Sequence, residues 1–154
     1  MRISNFRYWI PNPQSSLLRL DRVLQPHHLR AAYRERLPDP DPGWPPDVRV
    51  LMETIHAHLF DPELRIRDIR AQNGLRSNNV VGCFRSHVGR PPCDYILYHR
   101  IELAKRLLAT TDLPVGNVAL GVGWGSPGAF STTFKRHVGK TPSAYRKHVR
   151  DGDE

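Results

Sequence analysis

Cysteine is scarce: Cys83 and Cys93 are the two in 154 residues. That is too few for a disulfide scaffold or a four-cysteine zinc site. His27-His28 and His56-x-His58 lack partner ligands at metal spacing, so no metal and no cofactor are expected. Long apolar runs are missing as well. Nothing approaches the ~20 residues of a membrane span, and the opening "MRISNFRYWIPNPQ" has no apolar core of signal-peptide length. A reduced, cytoplasmic protein away from the membrane fits these absences. No Ser/His/Asp arrangement has a spacing that suggests catalysis, so the chain does not read as an enzyme. No segment alternates apolar and polar residues long enough for a strand.

Acidic residues are also few, 15 against 23 Lys and Arg, for a net charge of +8. The excess is concentrated: residues 47–150 carry 16 basic and 8 acidic side chains, which is +8. The first 46 residues contribute 7 − 4 = +3, and the acidic tail, residues 151–154, contributes −3. Such a basic domain calls for a polyanionic partner.

What is present is helical period. An N-terminal arm, residues 1–37, holds Leu17, Leu20 and Leu24 on one helical face. After Pro26, Leu29, Tyr33 and Leu37 mark a second short helix. "PDPDPGWPPD", residues 38–47, has five prolines in ten positions and reads as a stiff, extended linker. Beyond it Val48, Leu51, Met52, Ile55 and Leu59 form an amphipathic stripe. Leu97, Ile101, Ala104 and Leu108 form another, widened by Ile96, Leu103 and Leu107, which predicts a helix from about Tyr95 to Ala109 buried on more than one side. The expected fold is all-α.

Gly123, Gly125 and Gly128 spell G-x-G-x-x-G. A dinucleotide fingerprint needs a strand before it and an acidic residue about 20 positions later. Here the preceding "LPVGNVALGV" is helix-like, and Lys147-His148-Val149 stands where the acid belongs. A repeat explains the glycines better. Ile66, Ile69 and Gly74 map onto Val115, Val118 and Gly123 at an offset of 49. Val80, Phe84, His87, Gly89, Pro92 and Tyr95 map onto Phe130, Phe134, His137, Gly139, Pro142 and Tyr145 at an offset of 50. Each copy is a short helix, a glycine turn and a second helix with an aromatic staple, the outline of a helix-turn-helix. In the second copy Ser126 caps the second helix and Pro127 occupies its first turn. Trp124 fills the turn position that Leu75 fills in the first.

On these residues the chain resembles the AraC/XylS-type DNA-binding domain. "YHRIELAKRLLATTDLPVGNVALGVGWGSPGAFSTTFKRHVGKTPSAYRKH" is similar to its second half and "IRDIRAQNGLRSNNVVGCFRSHVGRPPCDYI" to its first. The domain itself should run over 48–150. The resemblance implies two helix-turn-helix units, about 66–87 and 115–137, joined by the long helix 95–109. It implies a sequence-specific transcription regulator bound as a monomer to double-stranded promoter DNA, with RNA polymerase as a further candidate partner. Two recognition helices would enter successive major-groove segments about one turn, or ~34 Å, apart.

The first recognition helix is expected from about Ser77 to His87, with Val80 and Phe84 inward. That leaves Asn78, Asn79, Val81 and Gly82 as candidate base readers. The second is expected from about Pro127 to His137, with Phe130 and Phe134 inward and Gly128, Ala129 and Thr132 toward the groove. Candidate phosphate contacts are Arg76, Ser77, Arg85, Arg90, Ser126, Ser131, Lys135, Arg136, Lys140 and Arg146. Arg100 and Lys105, on the linking helix, read as solvated or as partners of Glu102. The sequence departs from the family at Gly82 and Thr132, where arginine is frequent, and at Arg76, which replaces a capping serine and leaves that role to Ser77. Base readout is therefore thin. The alternative function is a protein-interaction module that keeps the fold with little base-specific reading.

Overall fold

Prolines mark most of the helix starts. Pro26, Pro46, Pro92, Pro127 and Pro142 each open one of the eight helices in a computed structural model that describes residues 26–76 and 78–152. Proline suits that position, because the first helical N–H has no intrahelical partner to lose. The helices are α1 (Pro26–Arg34), α2 (Pro46–His58), α3 (Ile66–Gln72), α4 (Val80–Val88), α5 (Pro92–Thr110), α6 (Val115–Gly121), α7 (Pro127–Val138) and α8 (Pro142–Asp151). There is no strand among the described residues.

The helices form two groups. α2 packs on α3 and α4; α7 packs on α6 and α8; α5 runs between the groups and touches α1, α4, α6 and α8. Contact with four helices explains why α5 is apolar on both flanks: Tyr95, Ile101, Leu103, Ala104, Leu107 and Leu108 are all buried. Its 19 residues span roughly 28 Å at ~1.5 Å per residue. On α2, Val48, Leu51, Met52 and Ile55 are buried as the stripe predicts. One continuous core includes Phe84 and Phe130 at 0% exposure and reaches Tyr33 in α1.

The region ahead of α2 differs from the expected extended linker. Asp41 to Trp44 is a closed turn: the Trp44 N–H donates to the Asp41 carbonyl (3.0 Å) and the Gly43 N–H to Asp41 Oδ1 (2.7 Å). Trp44 is half-buried against the core, with its ring 5.8 Å from His87. Pro46 and Asp47 already belong to α2. Proline in a first turn extends a helix and need not break the chain, so the linker is shorter and anchored. The leucine face Leu17–Leu20–Leu24 and the last two residues of the acidic tail lie outside the described residues.

Candidate nucleic-acid interface

Both glycine turns close in the same way. The Leu75 N–H donates to the Arg70 carbonyl (2.9 Å) and the Gly74 N–H to that of Ala71 (3.4 Å). In the second motif the Trp124 N–H donates to Ala119 (3.0 Å) and the Gly123 N–H to Leu120 (3.2 Å). This pair of bonds is the Schellman closure, which needs a left-handed residue. Gly74 (φ +64°) and Gly123 (φ +94°) supply it. The aromatic staple repeats too: Phe84 meets Tyr95 edge-on at 5.8 Å, and Phe134 meets Tyr145 edge-on at 5.6 Å. Leu75 is buried in the first turn; Trp124, larger, is half-buried and lies edge-on to Phe130 at 5.2 Å.

The two second helices start differently. α7 begins at Pro127 and Ser126 Oγ accepts from the Ala129 N–H (3.2 Å). α4 begins at Val80 rather than near Ser77, and no side chain caps it. Asn78 and Asn79 therefore stand in the turn ahead of the helix, and Ser77 lies outside the described residues. The reason for the late start is local. Without a serine at position 76 and proline at the first turn, nothing pins the earlier residues into the helix.

Asn78, Asn79, Val81 and Gly82 are exposed together at the start of α4, and Gly128, Ala129 and Thr132 are exposed along α7. Among the described residues Val81 is one of two large apolar side chains at the surface, with Leu120. Gly82 is not an empty place. Asn79 Oδ1 folds over it, only 2.4 Å from where a Cβ would stand. A Cβ added at Gly128 would meet nothing within 4 Å, so a macromolecular surface can approach the helix there closely.

Around these residues Arg76, Arg85, Arg90, Lys135, Arg136 and Lys140 are exposed, and Ser131 is half-buried. Ion pairs among the described residues join Arg67 to Asp68, Lys105 to Glu102 and Arg150 to Asp112, so none neutralises these six cations. Arg90 also stacks over the Tyr98 ring (4.1 Å), beside a groove of about 510 Å³ between α5 and the end of α7. Arg146, another phosphate candidate, is half-buried and also bonds the framework: Nε donates to the Leu108 carbonyl (3.3 Å) and Nη2 to that of Leu113. The first carbonyl lies in the last turn of α5, where helical donors run out, and the second in the connection to α6.

Arg100 was not legible as a structural residue. Its guanidinium donates to the carbonyls of Leu59 (2.8 Å), Asp61 (2.7 Å) and Gly123 (2.9 Å). It thereby ties the end of α2 to the second glycine turn. Burial pulls its pKa down to about 10, still well above neutrality. Lys105, by contrast, pairs with Glu102 at 2.8 Å. The described residues hold no cluster of His, Cys, Asp and Glu that could bind a metal. No helix among them is long and apolar enough to cross a membrane.

Two matching helix–Schellman turn–helix units, joined by one buried helix, define a tandem helix-turn-helix domain. The family model described as a helix-turn-helix domain matches residues 71–148. An AraC-like transcription regulator of Streptomyces antibioticus is 31% identical over 129 residues, 79% of this chain and 41% of the relative. The C-terminal domain of AraT, a response regulator from Geobacillus stearothermophilus, superposes with a TM-score of 0.63 at 26% identity, covering 68% of this chain and 87% of that one. The DNA-binding domain of the transcriptional factor AdpA, solved with a target DNA, gives 0.60 at 27% identity, covering 70% and 98%. The chain belongs to the AraC-type helix-turn-helix family, a family of regulator domains rather than enzymes. It spans about two fifths of the length of the first curated relatives it matches.

Proposed function

We propose that this protein is a cytoplasmic, sequence-specific transcription regulator that binds double-stranded promoter DNA as a monomer. α4 and α7 would enter successive major-groove segments, and RNA polymerase is the further partner to test. One observation carries the reading: the same Schellman-turned motif occurs twice, each time with an exposed second helix flanked by cations that form no ion pair among the described residues. Asn78 and Asn79 would hydrogen-bond adenine edges, and Val81 and the Thr132 methyl would touch thymine methyls. Arg76, Arg85, Arg90, Lys135, Arg136 and Lys140 would neutralise phosphates, positioning the domain without reading sequence. Ser131 is a lesser candidate of the same kind.

The sparse side chains at Gly82, Gly128 and Ala129 favour a second reading, a protein-interaction module on the same fold. Selection of fragments from host genomic DNA at ~0.15 M salt separates the two. A regulator should enrich a site with two short boxes one turn apart, about 10³-fold or more over bulk DNA. Uniform capture or none would favour the interaction module. On the enriched site, Asn78→Ala and Asn79→Ala should each relax selectivity at one base position by about tenfold, measured by competition with single-base variants. Unchanged selectivity would remove the first motif from base reading.

A further inference from the structure

One helix stands outside both groups and lies across them. α1 packs on α5 and on α6. At its start, Pro26 sits against the last residue of α6: a Cβ on Gly121 would lie 3.7 Å from the proline's own Cβ. At its end, Arg34 Nη1 donates to the Ala57 carbonyl in the last turn of α2 (2.8 Å). Between these points Tyr33 is 8% exposed, and its hydroxyl shares a 2.7 Å hydrogen bond with His99 Nδ1 of α5. Its ring meets Phe60 and His99 edge-on at 5.8 and 5.7 Å, and the Arg106 guanidinium stands 5.0 Å from its centroid. A nine-residue helix thus reaches from the second motif to the scaffold helix of the first.

We propose that α1 is a clasp that fixes the angle between the two recognition helices, with Tyr33 as the positioning residue that sets box spacing. The spacing consequence rests on the DNA reading above; the clasp itself does not. Two helix groups packed on one helix can rock about it, and a tie between them at a distance from its axis removes that freedom. Arg100 provides one such tie through Leu59, Asp61 and Gly123. α1 provides the other, and it is the removable one. A helix this short is marginal by itself, so its order depends on the seam it fills. The consequence for DNA is geometric. One base pair inserted between the boxes turns the second box by about 35° and moves it ~3.4 Å, which a clasped pair of helices cannot follow.

The test uses the full chain with spin labels at Arg85→Cys and Lys135→Cys, in a Cys83→Ser, Cys93→Ser background. Pulsed dipolar spectroscopy reads the distance between the recognition helices without DNA. The clasped protein should give one narrow distribution, and Tyr33→Ala should broaden it about twofold or more. The double variant Leu29→Ala, Arg34→Ala serves the same purpose should Tyr33→Ala fail to fold. Unlabelled chains are then titrated with the enriched duplex and with the same duplex lengthened by one base pair. The unsubstituted chain should lose about tenfold or more in affinity on the longer duplex, and Tyr33→Ala about threefold or less. Equal widths and equal penalties would overturn the clasp. A chain that selects no sequence would overturn the DNA reading instead, with the spin-label distances still deciding the clasp.

Discussion

Gly74 and Gly123 occupy the same place in the same turn, yet they should respond differently to substitution. Around Gly74 there is open space, so Gly74→Ala meets only the left-handed backbone penalty, about 1 kcal/mol. At Gly123 an added Cβ would also lie 2.8 Å from Arg100 Cζ, at the centre of the guanidinium that ties the two groups together. Gly123→Ala should therefore cost at least about 1 kcal/mol more than Gly74→Ala, read as the difference in chemical denaturation. Arg100→Ala leaves the carbonyls of Leu59 and Gly123 without their side-chain donor, leaves that of Asp61 with the Leu64 N–H alone, and should cost about 2–4 kcal/mol. Arg100→Lys should rescue little, because an ammonium cannot reproduce the guanidinium fork. Equal costs at the two glycines would show that Arg100 shifts freely. None of this was legible in the chain. Leu59 lies 41 positions from Arg100 and Gly123 23 positions away, and a carbonyl partner carries no side-chain signature.

At the scale of elements, the duplicated motif was legible because its signals are local. Glycine ends a helix, an aromatic staples the second one, and proline opens the next; each acts within a few residues. The helix starts were read less well. α7 begins where Ser126 and Pro127 predict, with the serine hydroxyl accepting from Ala129. α4 begins only at Val80, because its turn lacks that pairing. Removing the cap tests the difference: Ser126→Ala should destabilise by about 1 kcal/mol and speed amide exchange in the first turn of α7. An unchanged midpoint would mean that Pro127 and the packing of Phe130 hold the start by themselves. Asn79 belongs to the same contrast. Its carboxamide covers the face that Gly82 leaves open, so two positions that read as separate base-reading candidates form a single surface.

At the scale of the whole molecule, stability should depend on pH through the buried histidines of the seam. His99, at 4% exposure, is held down to about pKa 3 by burial, with His56 and Arg90 adding to the shift. His56, whose Nε2 shares a 2.7 Å hydrogen bond with the Tyr95 hydroxyl, is held to about 4, again by burial, against the opposing pull of Asp39. Both folded values lie below the ordinary ~6.5 of an unfolded histidine. Their contribution is therefore complete above pH ~6.5 and is lost as pH falls from there toward 4 and below. For His99 the slope approaches 1.4 kcal/mol per pH unit at most. Melting temperature should be flat from pH 7 to 8 and fall steadily between 6.5 and 5, and His99→Gln should make that fall shallower. An identical fall in the variant would assign the acid sensitivity elsewhere. Because Tyr33 is bonded to His99, acid should also loosen α1 before the rest of the fold.

By itself the sequence determined the helical class, the duplicated motif, the inward positions Val80, Phe84, Phe130 and Phe134, and the basic character of the domain. Those follow from spacing and charge, which act over one or two helical turns. The tertiary structure alone decided that Arg100 and Arg146 donate to backbone carbonyls of the framework, that Trp44 anchors the proline segment, and that Tyr33 joins the same core as the two motifs. Each of those outcomes depends on groups far apart in the chain meeting in space, where burial removes water as the competing hydrogen-bond partner and makes one arrangement preferred.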